Sequence, residues 1–280
     1  NMIIKKVKAP VRIDFAGGTT DIFPFVKTHG GVVLNAAINK YIEGRIISSE
    51  KIVSLDYKGN IPTSSGLGTS GTMNLVWLAL ITKIKDRKKL SEKVYDLEQS
   101  LGLVGGKQDQ YASAFGGINF FEFNDNKVKI NRLNLDKKFI EELESKLIIV
   151  YYGDHFSGDS NKRMVENLIN GKNTENLLRI KKIAYEMKLA LIKKSLEDFS
   201  DLMNQELKER EKLDKSIVPL PLKNFINKGL KNGASAAKVL GAGGGGSVLF
   251  FADNKKKFQK EFGNRVINFK FDFQGIRWLR

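Results

Sequence analysis

The amino-acid sequence predicts an α+β fold with two lobes. Strand-like and helix-like segments mix along the 280 residues, without the regular alternation of strand and helix that a doubly wound sheet shows. The hydrophobic share of 41% is enough for a packed core. We place the boundary near residues 144–146, so that the first lobe covers residues 1–145 and the second covers residues 146–280.

In the first lobe, period-two alternation and runs of β-branched residues predict strands, and longer apolar segments predict helices. The predicted strands are residues 3–11, 32–38, 41–49, 51–57 and 118–123. The predicted helices are residues 73–84, 91–101 and 107–115. The first lobe is therefore expected to combine a sheet with three helices.

The second lobe is expected to hold longer amphipathic helices between short buried strands. The predicted helices are residues 161–170, 175–192, 196–209 and 222–232, and the last of them follows a break at Pro219 and Pro221. The predicted strands are residues 147–152, 236–240 and 248–252, and residues 265–278 are expected to supply strands and turns. No internal repeat interrupts this pattern.

Composition argues against several kinds of site. Without cysteine the chain has no disulfide and no thiolate metal site, and its two histidines stand far apart in sequence. No apolar run reaches the length of a membrane span, and no N-terminal run resembles a signal peptide. We therefore expect a cytoplasmic protein without a membrane partner.

The formal net charge of +16 and the pI of about 9.7 raise the question of an acidic partner. Lysines are scattered, and aromatic residues do not alternate with them as in proteins that bind single-stranded nucleic acid. The pattern favours a solvated lysine-rich surface over a nucleic-acid interface. It is also compatible with a phosphorylated substrate.

Residues 62–71, Pro-Thr-Ser-Ser-Gly-Leu-Gly-Thr-Ser-Gly, run into the first predicted helix. Small residues before a helix N-terminus favour an anion site, because backbone N–H groups and the helix dipole both point at the ligand. The segment is not a Walker A motif, since Gly68 is followed by Thr69 and not by lysine. A capped helix after a flexible turn is the alternative interpretation.

A second glycine run, residues 241–246, lies between two strand-like segments. Consecutive glycines cost conformational entropy and are typical of places where the backbone approaches a ligand or another chain segment closely. The core-like flanks favour a functional loop inside a domain over a floppy linker.

Several acidic residues are candidates for chemistry. Asp109 stands at a predicted helix start, and Glu98 lies on the preceding helix, so a bend between the helices could bring both into one pocket. Asp21 ends a turn that follows the first strand, where it either caps a segment or binds hydroxyl groups. Asp14, at the start of the same turn, is more simply a structural residue.

These pieces, in this order, resemble the GHMP family of small-molecule kinases. The resemblance rests on a basic residue in the first strand (Arg12), the loop of residues 62–70, Glu98 followed by Asp109, and the glycine run. The motifs Phe-Ala-Gly-Gly-Thr-Thr-Asp and Gly-Lys-Gln-Asp-Gln-Tyr-Ala are most similar to the sugar-kinase branch that acts on heptose 7-phosphates. The resemblance implies a lobe like domain 2 of ribosomal protein S5, followed by a ferredoxin-like lobe.

The resemblance also implies roles for single residues, with ATP and Mg²⁺ as cofactors and a sugar or sugar phosphate as substrate. Asp109 would orient or deprotonate the sugar hydroxyl, and Arg12 would keep Asp109 ionised. Glu98 and Ser70 would hold Mg²⁺. The triphosphate would lie against Pro62, Ser64, Ser65, Gly66, Leu67, Gly68, Thr69 and Ser70. The substrate would contact Asp21, Gly18, Thr20, Gly243, Gly244 and Gly245.

Two departures from the family pattern qualify this expectation. Only residues 58–61 separate the predicted strand of residues 51–57 from Pro62, where relatives carry a helix and a strand that help line the adenine pocket. The segment after Tyr152 lacks the arginine expected in heptose kinases, for which His155 and Arg163 are candidate substitutes.

Other functions remain open at this stage. They are a kinase for a different small alcohol, of the mevalonate or homoserine type, and a non-catalytic regulator that binds ATP and sugar. A homodimer is also left open.

Overall fold

The computed structural model describes residues 3–50, 53–124, 127–153 and 158–279. Its first half is built from five strands and five helices. In chain order they are β1 (Ile3–Ala16), α1 (Phe25–His29), β2 (Gly31–Ser48), β3 (Val53–Gly59), α2 (Thr69–Ile81), α3 (Arg87–Ser100), α4 (Gln108–Phe115), β4 (Ile118–Asn124), β5 (Lys127–Arg132) and α5 (Lys137–Lys146).

The second half continues the mixture of helices and short strands. It contains β6 (Leu147–Gly153), α6 (Gly158–Ile169), α7 (Thr174–Ile192), α8 (Leu196–Glu211), α9 (Leu220–Lys231), β7 (Ala234–Val239), β8 (Gly246–Ala252), α10 (Lys255–Phe262), β9 (Val266–Ile267) and β10 (Arg277–Leu279). None of the described helices combines the length and the apolar character that a membrane crossing needs.

Two antiparallel sheets organise these elements. The first has the order β10-β1-β2-β4-β5, and β3 pairs with the second half of β2. The second sheet has the order β7-β8-β6-β9. It begins at Leu147, next to the boundary expected from the sequence, but β10 belongs to the first sheet. One strand from residues 146–280, the range expected for the second lobe, therefore belongs to the sheet of the first lobe.

Two strands that the sequence analysis separated are one continuous strand. Residues 32–38 and 41–49 both lie in β2, because the register shift opposite Pro10 and Val11 lets the chain bend without leaving the sheet. Asn39, within the bend, donates its backbone N–H to Lys270 O and accepts from Lys270 N at its side-chain oxygen. The side chain thus replaces strand pairing at this point.

Four of the elements named above were not predicted: α1, β5, α5 and α10. The lysine-rich segment of residues 255–257 begins α10, where Asn254 accepts a hydrogen bond from Lys257 N as an N-cap. Only Phe258 and Phe262 of this helix are buried, so its apolar signal is narrow.

One hydrophobic cluster extends across both sheets. Phe15 of β1 packs edge to face against Phe199 of α8, with ring centroids 5.3 Å apart. Helix α7 also packs against β1 and β2. The shared core fixes the strand ends of the first sheet relative to the glycine run before β8.

Candidate active site

A cavity of about 740 Å³ opens where the end of β1 meets the N-termini of α2 and α4 and the glycine run. Most of the site residues selected from the sequence line it. They are Arg12, Gly18, Asp21, Ser64, Gly66, Gly68, Thr69, Ser70, Glu98 and Asp109. The fold thus brings together residues that are up to 97 positions apart along the chain.

The loop before α2 has the shape of an anion-binding loop. Ser64, Gly66 and Gly68 all have positive φ angles, of 53°, 76° and 73°, so the backbone curls before the helix begins at Thr69. The helix starts four residues earlier than the predicted residue 73. The earlier start brings Thr69 and Ser70 into its first turn, at the positive end of the helix dipole.

Not every residue of the predicted loop faces the cavity. Leu67 and Ser65 are fully buried, and neither belongs to the described lining of the cavity. Leu67 is part of the main hydrophobic cluster, and its carbonyl accepts the backbone N–H of Arg12. Pro62 is half-buried and is likewise not among the residues that line the cavity. These three residues shape the loop, and its cavity side is formed by their neighbours.

The glycine run packs against the phosphate loop, and this contact explains part of its composition. A Cβ at Gly66 would lie 2.6 Å from Leu240 O, and one at Gly241 would lie 2.9 Å from Gly66 Cα. Gly246 approaches Ser65 in the same way, at 3.0 Å from its carbonyl group. Two backbones therefore meet where no side chain fits.

The middle of the glycine run contacts a protein segment, where a substrate contact was expected. Gly244 N donates to Ile217 O at 2.8 Å, and a Cβ at Gly243 would lie 2.5 Å from the Ile217 side chain. Among the described residues, the cavity is lined by Gly241 and Ala242, and not by Gly243, Gly244 or Gly245. Local sequence signals a close approach but does not say which segment is approached.

Arg12 and Asp109 form an ion pair at the centre of the cavity wall. Arg12 Nε donates to Asp109 Oδ1 at 2.7 Å, and Arg12 Nη1 donates to Gly66 O at 2.7 Å. The arginine side chain is almost fully buried, whereas that of Asp109 is 29% exposed. One guanidinium group thus joins the candidate base to the backbone of the phosphate loop.

Asp109 lies directly against the start of α2. A Cβ at Gly68 would be 3.0 Å from the carboxyl carbon of Asp109, and one at Gly71 would be 2.8 Å from its Cβ. Asp109 is also in the first turn of α4, where the helix dipole favours a negative charge. Its Oδ2 accepts no hydrogen bond from the residues that the structure describes, which leaves that oxygen available to a hydroxyl group.

Glu98 also lines the cavity and is held by Asn74, whose Nδ2 donates to Glu98 Oε1 at 2.9 Å. Burial raises the pKa of Glu98 to about 7, and the charge of Asp109 adds to the rise. Ser70 stands one helical turn before Asn74 on α2, so its hydroxyl and the Glu98 carboxyl belong to the same part of the cavity.

Asp21 is buried at the other end of the cavity. Its Oδ2 accepts the backbone N–H of Gln108 at 3.1 Å, so it satisfies the N-terminus of the helix that carries Asp109. Burial raises the pKa of Asp21 to about 6, and the charges of Asp109 and Asp14 contribute. Both roles considered for Asp21 are thus compatible with its position: it caps a helix, though not the segment that follows it, and it lines the cavity.

The turn before Asp21 divides its residues between cavity and core. Gly18 and Thr19 line the cavity. Thr20 is fully buried, and its hydroxyl bonds to Gly17 O and to both the N–H and the carbonyl of Val32. Among the described residues it therefore fixes the turn to β2, and any direct substrate contact of this turn falls to its neighbours.

The sequence analysis missed a buried network of four charges beneath the cavity. Arg210 of α8 binds Glu206 Oε1 through Nε at 3.0 Å and Nη2 at 2.6 Å. Lys238 Nζ lies 3.0 Å from Glu206 Oε2 and 3.7 Å from Asp14 Oδ2. Arg210 also donates to Gly18 O at 3.0 Å. The network thus ties α8 and β7 of the second lobe to the turn after β1.

Comparison with known proteins identifies the family. The model described as GHMP kinases N terminal domain matches residues 32–117, and the one described as GHMP kinases C terminal matches residues 187–265; together they cover more than half of the chain. The chain belongs to the GHMP kinase family. The members of this family are kinases that use ATP, so this GHMP kinase is an enzyme that takes its phosphoryl group from ATP.

Individual relatives agree with this assignment. The chain is 28% identical to D-glycero-alpha-D-manno-heptose 7-phosphate kinase of Campylobacter jejuni, across 98% of both chains. The crystal structure of a D-glycero-D-manno-heptose 1-phosphate kinase from Bacteroides thetaiotaomicron superposes with a TM-score of 0.77 at 24% identity, across 99% of both chains. A mevalonate kinase structure superposes with a TM-score of 0.72 at 19% identity, across 95% of this chain and 98% of that one. The two structures establish the fold.

Parts of the Campylobacter relative have no counterpart in this sequence. The alignment of the two chains runs over 338 positions, more than the 280 residues of this chain, so the relative has segments without a counterpart here. The short link of residues 58–61 is where the sequence predicts such a difference. Next to it, β3 leaves Val53 70% exposed, and Leu55 and Tyr57 37% exposed.

The two candidate substitutes for the heptose-kinase arginine have different outcomes. His155 lies outside the described residues. Arg163 donates from Nη2 to Ser216 Oγ at 2.7 Å and pairs with Asp214 at 3.3 Å, so it holds the turn before α9. The neighbouring Lys162 is exposed and lines the cavity, although no local sequence motif points to it.

Proposed function

We propose that this enzyme transfers the γ-phosphoryl group of ATP to a hydroxyl group of a sugar, and that its substrate is a sugar phosphate of the heptose 7-phosphate type. The observation that carries the proposal is the ion pair of Arg12 and Asp109 between the phosphate loop and a cavity that ends at Asp21. The 28% identity with a heptose 7-phosphate kinase across both chains supports the substrate class.

The triphosphate of ATP would lie along the cavity side of the phosphate loop. The curled backbone of Ser64, Gly66 and Gly68 presents N–H groups, and Thr69 and Ser70 add hydroxyls in the first turn of α2. Phosphoryl transfer depends on such positioning and on charge neutralisation more than on covalent chemistry.

The residues present fit a Mg²⁺ ion. Mg²⁺ prefers carboxylate and hydroxyl oxygens, which Glu98 and Ser70 supply, and Asn74 fixes the orientation of the Glu98 carboxyl. A carboxyl group whose burial raises its pKa to about 7 gains from a cation next to it. The bound ion would neutralise charge on the phosphate oxygens.

Asp109 would act on the acceptor. Its Oδ2 accepts the hydrogen of the sugar hydroxyl while Oδ1 remains bonded to Arg12 Nε. The hydroxyl oxygen then forms a bond to the γ-phosphorus, the bond between that phosphorus and the bridging oxygen of ADP breaks, and the proton passes to Asp109. Arg12 is bonded to both Asp109 and Gly66 O, so it holds the base and the phosphate loop in a fixed relative position during this step.

The acceptor end of the cavity suits a sugar. Asp21 and the turn of Gly18 and Thr19 offer a carboxylate, a carbonyl and a hydroxyl to hydroxyl groups of the substrate. The exposed Lys162 on the cavity rim would face the phosphate of a sugar phosphate. We propose the anomeric hydroxyl as the acceptor, in keeping with the sugar-kinase branch that the motifs resemble.

A screen for ADP release tests the proposal. Hexoses, heptoses and their phosphates would be offered with ATP and Mg²⁺, together with mevalonate and homoserine as alternative alcohols, and NMR of the product would locate the new phosphate. We expect turnover with a sugar phosphate and a new phosphate on C1. Turnover restricted to mevalonate or homoserine, or none with any sugar, would contradict the proposal.

A further inference from the structure

Two buried acceptor atoms in the floor of the cavity have no partner among the described residues. They are Asp14 Oδ1 and Gln108 Oε1, and both side chains line the cavity. A buried acceptor without a partner destabilises the folded state, so such atoms are ordinarily satisfied by water or by a ligand.

The two side chains converge on one point. Asp14 Oδ2 and Gln108 Nε2 are both neighbours of the Cα of Gly18: a Cβ there would collide with Asp14 Oδ2 and lie 3.1 Å from Gln108 Nε2. Asp14 and Asn35 are register partners in β1 and β2, on the side of the sheet that Arg12 shares. The side chains of Asp14 and Gln108 therefore form one polar surface next to the turn at Gly18.

The position of this surface is fixed from both lobes. Gln108 is the first residue of α4, its backbone N–H is bonded to Asp21, and the next residue is Asp109. Asp14 is approached by Lys238, which Glu206 holds at 3.0 Å. The acceptors consequently stand in a defined geometry relative to the candidate base.

We propose that Asp14 and Gln108 form a second hydroxyl-recognition subsite, which binds two sugar hydroxyls other than the one that is phosphorylated. The subsite rests on the proposed function and deepens it, because it defines the bound part of the substrate as a neutral polyol. Sugar hydroxyls donate hydrogen bonds as water does, so they satisfy both acceptors when they displace water.

Gln108→Met tests the subsite, because methionine has nearly the shape of glutamine but no acceptor oxygen, and the backbone bond to Asp21 remains. The probe is D-glycero-D-manno-heptose 7-phosphate, or the sugar that replaces it in the ADP-release screen, with its monodeoxy analogues. We expect kcat/KM for the intact sugar to fall roughly 10–100-fold, mainly through KM.

The decisive comparison is between the variant and the deoxy series. For one deoxy analogue, the kcat/KM of the wild type should fall by the same factor by which Gln108→Met lowers kcat/KM for the intact sugar. The kcat/KM of the variant should be little lower for that analogue than for the intact sugar. Gln259→Met, a change of the same chemistry on α10, is the matched control and should leave kcat/KM unchanged. Gln108→Ala provides a second variant if methionine disturbs folding.

Asp14 is tested together with its counter-ion. The double variant Asp14→Ala/Lys238→Met removes one negative and one positive buried group, so Glu206 and Arg210 stay balanced. We expect it to become insensitive to the loss of a different hydroxyl from the one that Gln108 recognises. An equal penalty for every analogue in both variants, or unchanged KM in both, would overturn the subsite while sugar turnover by the wild type still supports the function. No turnover of any sugar by the wild type would overturn both.

Discussion

The backbone of Gly66 in the phosphate loop approaches the carbonyl oxygen of Leu240 so closely that a Cβ on Gly66 would lie 2.6 Å from it. Gly66 belongs to the first lobe, and Leu240 directly follows β7, just before the glycine run. The contact joins the loop expected to hold the triphosphate to the second sheet, so the geometry of the loop depends on both lobes.

Gly66→Ala should therefore impair both folding and nucleotide binding. The residue has a φ of 76°, and the new methyl group would also collide with Leu240 O. We expect a loss of about 2–4 kcal/mol in the free energy of unfolding, from left-handed strain and the collision together. Urea unfolding and an ATP titration would measure the two effects.

Gly171→Ala separates strain from collision. Gly171 has a φ of 73°, but nothing lies within 4 Å of a Cβ there. This control should lose only about 1 kcal/mol and bind ATP normally. Equal losses of unfolding free energy in Gly66→Ala and Gly171→Ala would show that the contact between the lobes does not contribute to stability.

Asp109→Asn should reduce kcat by roughly 10²–10⁴-fold, because the amide cannot take the hydroxyl proton. The affinity for ATP should change little, since Asp109 contacts the loop from the acceptor side. Single-turnover kinetics and ATP binding would be measured together. Asp56→Asn, at an exposed ion pair with Arg45, is the matched control, and near-normal turnover by the Asp109 variant would refute the assignment.

Mg²⁺ affinity should depend on pH through Glu98. Its pKa is raised to about 7, so the ion must displace a proton below that pH, and the apparent affinity should rise about tenfold per pH unit up to pH 7 and then level off. Metal titrations from about pH 5.5 to about pH 8.5 would show this slope. Glu98→Gln should bind Mg²⁺ weakly, and its affinity should not change with pH. The same slope in that variant would contradict the role of Glu98.

Asp21 should make the folded protein less stable as pH rises. Its pKa is about 6 in the folded state against an ordinary value of 3.8, so the folded state binds more protons between these values and the free energy of unfolding falls across that range. The total loss is about 2–3 kcal/mol at pH 7.

Asp21→Asn removes this titration and can still accept the N–H of Gln108. The stability of the variant relative to the wild type should therefore increase from pH 4 to about pH 6 and stay constant above it. Urea unfolding at each pH measures the difference, in which the contribution of Glu98 cancels. A difference independent of pH would show that Asp21 is not perturbed by burial.

Local motifs predicted the core of the candidate site. The loop before α2, Glu98, Asp109 and Arg12 could be selected because small residues before a helix, and acids at helix starts, have physical signatures within a few residues. Their convergence on one cavity depends on strand register and helix packing, which the resemblance to the GHMP family supplied and the short motifs did not.

The buried network was not predictable in the same way. Glu206 and Arg210 have the spacing of a solvent-exposed pair on a helix surface, and Lys238 is a single charge in an apolar strand. Only the packing of α8 against β1 and β7 shows that all three are buried. For the same reason, the sequence assigned Gly243 and Gly244 to the substrate, whereas they contact the turn at Ile217.

The pairing of β10 with β1 has a consequence for biosynthesis. Lys6 and Leu279 are register partners although more than 250 positions separate them along the chain. A ribosome makes β1 before all the other described elements and β10 after them. One edge of β1 therefore lacks its partner strand while the rest of the chain is being translated, and this exposed edge is where a chaperone or a trapped misfolded state would compete with the native sheet.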